Sequence, residues 1–145
     1  MKVINFTKIQ ENIYKNTDNE YMITLMRRQM YKIAERLAKR VKANAIFNGE
    51  SIGQVASQTL TSIKVVNDVT NFPIIRPLAS FDKLEIIKIA MEIGSYETSI
   101  KPYEDCCTIF VPTHPVINPN IDYARSEEEK LNKEYIDNAL SDMII

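Results

Sequence analysis

Ala43-Asn-Ala-Ile-Phe-Asn-Gly-Glu-Ser-Ile-Gly-Gln-Val-Ala-Ser-Gln-Thr59 is the stretch from which the fold of this chain can be read. Ala43 to Phe47 is a short apolar run that predicts a buried strand, ended by the turn pair Asn48-Gly49. A helix is expected from about Gly53 to Asp68. Val55, Ala56, Leu60 and Ile63 would face the core, and Gln54, Gln58 and Thr61 would share a polar face. Phe72-Pro-Ile-Ile-Arg-Pro-Leu78 predicts a second short strand, and Ser80 predicts the cap of a helix that runs to Ile93 and stops at Gly94. Upstream, Lys2 to Phe6 reads as a strand and Thr7 to Tyr14 as a short helix. Glu20 to Lys42 reads as a long amphipathic helix whose stripe is Met22, Leu25, Met26, Met30, Ile33, Ala34, Leu37 and Val41. Strand and helix alternate, which predicts an α/β fold with a parallel sheet and crossover helices. Ligands of such sheets sit at the carboxyl ends of the strands. The corners Asn48–Glu50 and Leu78–Lys83 both lie there. Downstream, Pro112 to Tyr123 reads as irregular, and Ser126 to Leu140 as one helix with Glu127, Glu128 and Glu129 at its positive end.

The bulk numbers narrow the class. The chain has 145 residues, 45% hydrophobic and 26% charged, as in an ordinary globular domain. Eighteen basic residues oppose nineteen acidic ones, a formal net charge of −1, so any nucleic-acid contact has to use a local patch. No apolar run is long enough to span a membrane. Met1-Lys-Val-Ile-Asn5 is no secretory leader, and the adjacent Cys106 and Cys107 are no disulfide framework, so a cytoplasmic location is expected. The three glycines, Gly49, Gly53 and Gly94, form neither GxGxxG nor GxxxxGKS. His114 is the single histidine, in a Thr-His-Pro loop that suits solvent, and no metal site is expected.

Several residues point to chemistry. From Ser51 to Ile63 there is no charge but many amides and hydroxyls, a surface suited to a neutral base or ribose. Arg28, Lys32, Arg36 and Arg40 form a basic i, i+4 row, open to two readings: a solvated face, which charge runs favour, or a phosphate track. Arg27 borders the apolar stripe, where a permanently charged fork needs an anion or carbonyls. Lys83 is placed near a helix N-terminus, against the dipole. That suits an anion site, although Asp82 beside it also fits a solvated lysine. Cys106 and Cys107 follow Glu104 and Asp105, whose charges oppose a resting thiolate. A buried structural role and a reactive loop pair are both open.

Met26-Arg-Arg28, Gly49-Glu-Ser-Ile-Gly-Gln-Val-Ala-Ser-Gln-Thr59, Arg76-Pro-Leu78, Asp82-Lys-Leu-Glu-Ile86 and Pro102-Tyr-Glu-Asp-Cys-Cys-Thr108 resemble the tRNA 4-thiouridine synthetase family, also linked to making the thiazole of thiamine. The resemblance runs from about Val3 to about Pro119. It implies a partial parallel Rossmann-like sheet of the adenine nucleotide alpha-hydrolase, or PP-loop, type. Residues 1–119 would be the distal part of the ATP-dependent sulfurtransferase domain, and residues 120–145 a C-terminal tail with a helix. It further implies that a tRNA uridine is adenylated with ATP, with Mg2+ expected for the complete enzyme, and that persulfide sulfur from a cysteine desulfurase then displaces AMP. By position Arg27, Gly49 and Gln58 match the ATP-contacting residues, Lys83 a lysine of the activation step, and Cys106 the sulfur-handling cysteine. Cys107 falls where some relatives have glycine and takes a lesser role.

The family's Ser-Gly-Gly-x-Asp-Ser phosphate loop and its upstream tRNA-holding domains have no counterpart in the sequence. The expectation is therefore a C-terminal piece of the catalytic domain, inactive alone. Two other readings stay open. One is a non-catalytic half-domain that forms a homo-oligomer or binds a partner through sheet the missing half would cover. The other is a different PP-loop ATPase.

Overall fold

A computed structural model describes the chain apart from Gln54, residues 104–109, Val111, Thr113, Ile145 and the side chain of Ala56. Helix α1 (Thr7–Asn16) leads through a short 3-10 turn, Asn19–Tyr21, into the long helix α2 (Met22–Arg40). Strand β1 (Ile46–Phe47), a 3-10 turn at Ala56–Gln58, helix α3 (Leu60–Asn67) and strand β2 (Ile74–Ile75) follow. Next come α4 (Lys83–Glu92), the single turn α5 (Tyr96–Ser99), α6 (Ile121–Glu129) and α7 (Glu134–Ser141).

The expected class holds: β1 and β2 pair in parallel, Ile46 with Ile74 and Phe47 with Ile75, joined by the α3 crossover. A parallel pair requires such a connection. Pro73 sits just before β2, where its carbonyl accepts from the Ile46 N–H at 2.9 Å. The Asn48 N–H reaches Ile75 O at 3.1 Å, beyond the strand end. Strand β1 is not buried as expected, since Phe47 is 67% exposed; Ile75 of β2 is 41% exposed. The main core lies along α2, where apolar residues of α1, α2, α3, α6 and α7 meet.

Ile9 and Ile13 of α1 and Met22, Leu25, Met26 and Ile33 of α2 pack there with Ala124, Leu131, Ile136, Ala139 and Leu140. Ile13 and Leu25 are fully buried; each contributes about 1.5–3 kcal/mol of apolar transfer. The chain's last helices therefore complete the main core.

Several boundaries differ from the sequence reading. Lys2–Phe6 forms no strand, only an antiparallel bridge of Val3 with Ile144. The helix expected from Gly53 begins at Leu60. Gly53 takes φ +78°, and its N–H closes the loop onto Gln58 O at 3.0 Å; Thr59 then caps α3 by accepting from the Ser62 N–H at 3.1 Å. Leu60 consequently points outward, 68% exposed, while Ile63 is buried. Asp82, not Ser80, caps α4, in a capping box completed by Glu85 on the Asp82 N–H at 2.8 Å. Gly94, φ +72°, ends that helix as expected. Its N–H bonds Met91 O, and the Ser95 N–H bonds Ala90 O. The expected terminal helix is two helices with Asn120 as the first cap, so Glu127, Glu128 and Glu129 stand at a C-terminal end. Partners explain the tolerance of the first two there. Glu127 accepts from the Asp18 N–H at 2.8 Å and from Lys130 at 2.5 Å, and Glu128 from Arg28 and Lys32, each at 2.9 Å.

Candidate functional site: a two-arginine carboxylate at the end of strand β1

Three elements meet where β1 ends. The turn Asn48-Gly49-Glu50 leaves the strand, with the Glu50 N–H on Asn48 Oδ1 at 3.2 Å. Helix α2 presents Arg27 and Tyr31 to it. Arg76 comes from just beyond β2. Glu50 is the hub. Its carboxylate takes the Arg27 guanidinium, Arg76 Nε at 2.8 Å, Asn48 Nδ2 at 2.8 Å and the Tyr31 hydroxyl at 3.1 Å. Arg27 also donates to the carbonyl of Ser57. Arg76 reaches Asn67 Oδ1 at 2.7 Å and the Tyr31 oxygen at 3.2 Å.

The three charged side chains are mostly out of water: Arg27 13%, Glu50 15% and Arg76 11% exposed. Burial opposes the Glu50 charge. The Arg27 charge and hydrogen bonds from Arg76, Arg27 and Asn48 outweigh it and hold Glu50 below the ordinary carboxylate range. Burial and the Glu50 charge together push the Tyr31 hydroxyl up, so it stays protonated. Beside the cluster runs an open groove of about 270 Å³, walled by Met30, Ala34, Ile46 and Phe47 with Arg27, Tyr31 and Glu50 at its polar end. One carboxylate facing two guanidiniums leaves an excess positive charge in a partly desolvated corner. Such an arrangement accepts an anion.

The sequence-predicted residues distribute as follows. Arg27 finds the carboxylate and carbonyl that its place beside the stripe required. Gly49 is exposed at the turn. Gln58 closes the 3-10 turn next to Ser57, its N–H on Val55 O at 2.9 Å and its carbonyl taken by Gly53. These three surround one loop. The Ile52 N–H bonds Ala79 O at 3.0 Å, which ties that loop to the corner leading to Lys83. Lys83 is the first residue of α4, exposed, beside the capping Asp82. His114 is exposed. Cys106 and Cys107 lie outside the described residues. Sequence reasoning missed Glu50 as the hub, with Tyr31, Asn48 and Asn67 around it. The need of Arg27 for an anion was the signal that could have found it.

The basic row divides. Arg28 is 2% exposed, donating to Val65 O at 2.5 Å, Asp68 at 3.2 Å and Glu128 at 2.9 Å. Lys32 pairs with Glu128, and Arg36 with Asp137. Arg28 and Lys32 form a seam that binds α2 to α3 and α6, Arg36 reaches α7 from a half-exposed position, and Arg40 lies on the solvated face.

Comparison with known proteins supplies the class. The family model described as "Thiamine biosynthesis protein (ThiI)" matches residues 1–133. The chain belongs to the ThiI family. Among ThiI relatives, a probable tRNA sulfurtransferase of Halothermothrix orenii is 54% identical over 139 residues, covering 96% of this chain and 35% of the relative. Another, of Oceanobacillus iheyensis, is 52% identical over 117 residues, 81% of this chain and 29% of that protein. A crystal structure of a 4-thiouridine synthetase–RNA complex with bound ATP superposes with a TM-score of 0.92 at 39% identity, covering 99% of this chain and 38% of its own. The ThiI chain thus spans about a third of the length of these relatives. Among the described residues no helix is long and apolar enough to cross a membrane.

Proposed function

We propose that residues 1–119 are the distal part of an ATP-dependent tRNA sulfurtransferase domain, with 120–145 as a tail whose helices complete its core. The carrying observation is that Arg27, Gly49 and Gln58 surround one loop at the carboxyl end of β1, where α/β sheets bind ligands. The ATP and RNA in the 4-thiouridine synthetase complex support the same reading. In it, the uridine O4 attacks the α-phosphorus of ATP and pyrophosphate leaves. Persulfide sulfur, donated by a cysteine desulfurase, then attacks C4 and AMP leaves; a second thiol cuts the resulting S–S bond, giving 4-thiouridine and a disulfide. Arg27, Gly49 and Gln58 bind the nucleotide. Lys83, the first residue of α4, neutralises phosphate charge. Cys106 handles the sulfur, and Cys107 has a lesser role. Magnesium would supply charge neutralisation for the nucleotide in the complete enzyme. The reaction places the protein in the cytoplasm, with a link to thiamine thiazole synthesis.

Without a Ser-Gly-Gly-x-Asp-Ser loop, the 145 residues alone neither hold ATP tightly nor form an adenylate. A second reading rests on the outward Phe47 and Ile75: the chain also associates with a copy of itself through its open sheet face. The test compares this chain with a form lengthened at its amino end to include the phosphate loop and the tRNA-holding domains. Calorimetry is expected to find ATP binding only in the lengthened form. There, Cys106→Ser is expected to abolish 4-thiouridine formation and leave ATP binding intact. Tight magnesium-dependent binding by the 145 residues alone would overturn the account of the phosphate site. Unchanged thiolation by Cys106→Ser would overturn the assignment of Cys106 to the sulfur step.

A further inference from the structure

Arg27 is a long, flexible side chain, and a flexible cation loses conformational freedom when it grips a ligand. In this structure it is already fixed. Glu50 and the Ser57 carbonyl take its two terminal nitrogens, and only 13% of the side chain is exposed. Glu50 is itself fixed. Arg76 Nε and Asn48 Nδ2, each at 2.8 Å, share its second oxygen with the Tyr31 hydroxyl at 3.1 Å. Arg76 is anchored in turn on Asn67 at 2.7 Å. The carboxylate therefore bolts α2, the β1 corner and the segment after β2 together, and the adjoining Gly49 peptide is held with it.

We infer that Glu50 is a positioning residue for nucleotide binding: it sets the Arg27 guanidinium and the Gly49 turn before the ligand arrives. The inference rests on the reading of Arg27 as a nucleotide contact. Preorganisation lowers the ordering cost of binding, so the loss of Glu50 is felt in ATP affinity more than in turnover.

A double-mutant cycle tests this in the lengthened form, with ATP as the probe. Glu50→Gln is expected to weaken ATP binding about tenfold to a hundredfold, and to raise KM for ATP with kcat little changed. On an Arg27→Met background the same change is expected to cost less than about twofold, because the group it positions is gone. Glu50→Asp keeps the charge that compensates the two arginines and serves if Glu50→Gln does not fold. Its smaller loss is likewise expected to vanish without Arg27. Losses that multiply would overturn the positioning role while leaving Arg27 as a nucleotide contact. Unchanged ATP affinity in Arg27→Met would overturn that contact and the inference with it.

Discussion

Arg28 and Arg27 are neighbours on α2 with different tasks, and burial separates them. Arg28 is 2% exposed among acceptors from α3 and α6, and its Nε has no hydrogen-bond partner among the described residues. A buried charge held this way stabilises little in net terms, yet removing one side of the pair strands the other. Arg28→Met is expected to destabilise the fold by about 1–3 kcal/mol, because Val65 O loses its donor while Asp68 keeps Arg125 and Glu128 keeps Lys32. Urea unfolding of the variant reads this directly; a loss below about 0.5 kcal/mol, the scale of a surface substitution, would contradict it. The task of Arg27 was legible in the sequence, since its line on the helix borders the apolar stripe. That of Arg28 was not: its acceptors Asp68 and Glu128 lie 40 and 100 residues away, and helical periodicity carries no information about charges arriving from there.

Helices α2 and α4 mark the two ends of a stability scale. Helix α2 packs against α1, α3, α6, α7 and β1, whereas α4 has no buried residue and is held by its Asp82–Glu85 capping box and its Gly94 stop. Few buried apolar contacts mean cheap local opening. Amide exchange followed by mass spectrometry is expected to be much faster across Lys83–Glu92 than across Met22–Arg40, and equal protection would refute the ranking. Lys83 thus sits on the least anchored described helix near the candidate site. Element identity was readable where local chemistry decides it: the stripe of α2, the Gly94 stop, the prolines flanking β2. It was misread where tertiary contacts decide. Strand β1 has the apolar composition of a buried strand but lies open here. The glutamate run Glu127–Glu129 looked like the start of a helix until Asp18, Arg28 and Lys32 supplied partners at its end.

Across the molecule, carboxylates tie distant segments together, and that makes the fold acid-sensitive. Glu50, Asp68 and Glu127 all have folded pKa values below their ordinary 4.5, 3.8 and 4.5. For Asp68 the Arg125 hydrogen bond leads; for Glu127 burial is outweighed by Lys130 and the Asp18 N–H. A depressed folded pKa gives stability that is present above the unfolded value and lost as pH falls through the folded one. The thermal midpoint is therefore expected to drop steadily as pH is lowered below 4.5, and a flat midpoint there would refute the linkage. The candidate site was half legible for a related reason: Arg27, Gly49 and Gln58 are contiguous with recognisable motifs, whereas Glu50 gains its weight only when Arg76 folds back onto it. The bridge between Val3 and Ile144, two N–H···O bonds of 3.0 Å each, has a topological consequence. With its two ends side by side the chain is nearly a closed ring, and a short linker between them would allow the ring to be cut open at an exposed turn elsewhere, giving the same fold from a permuted sequence.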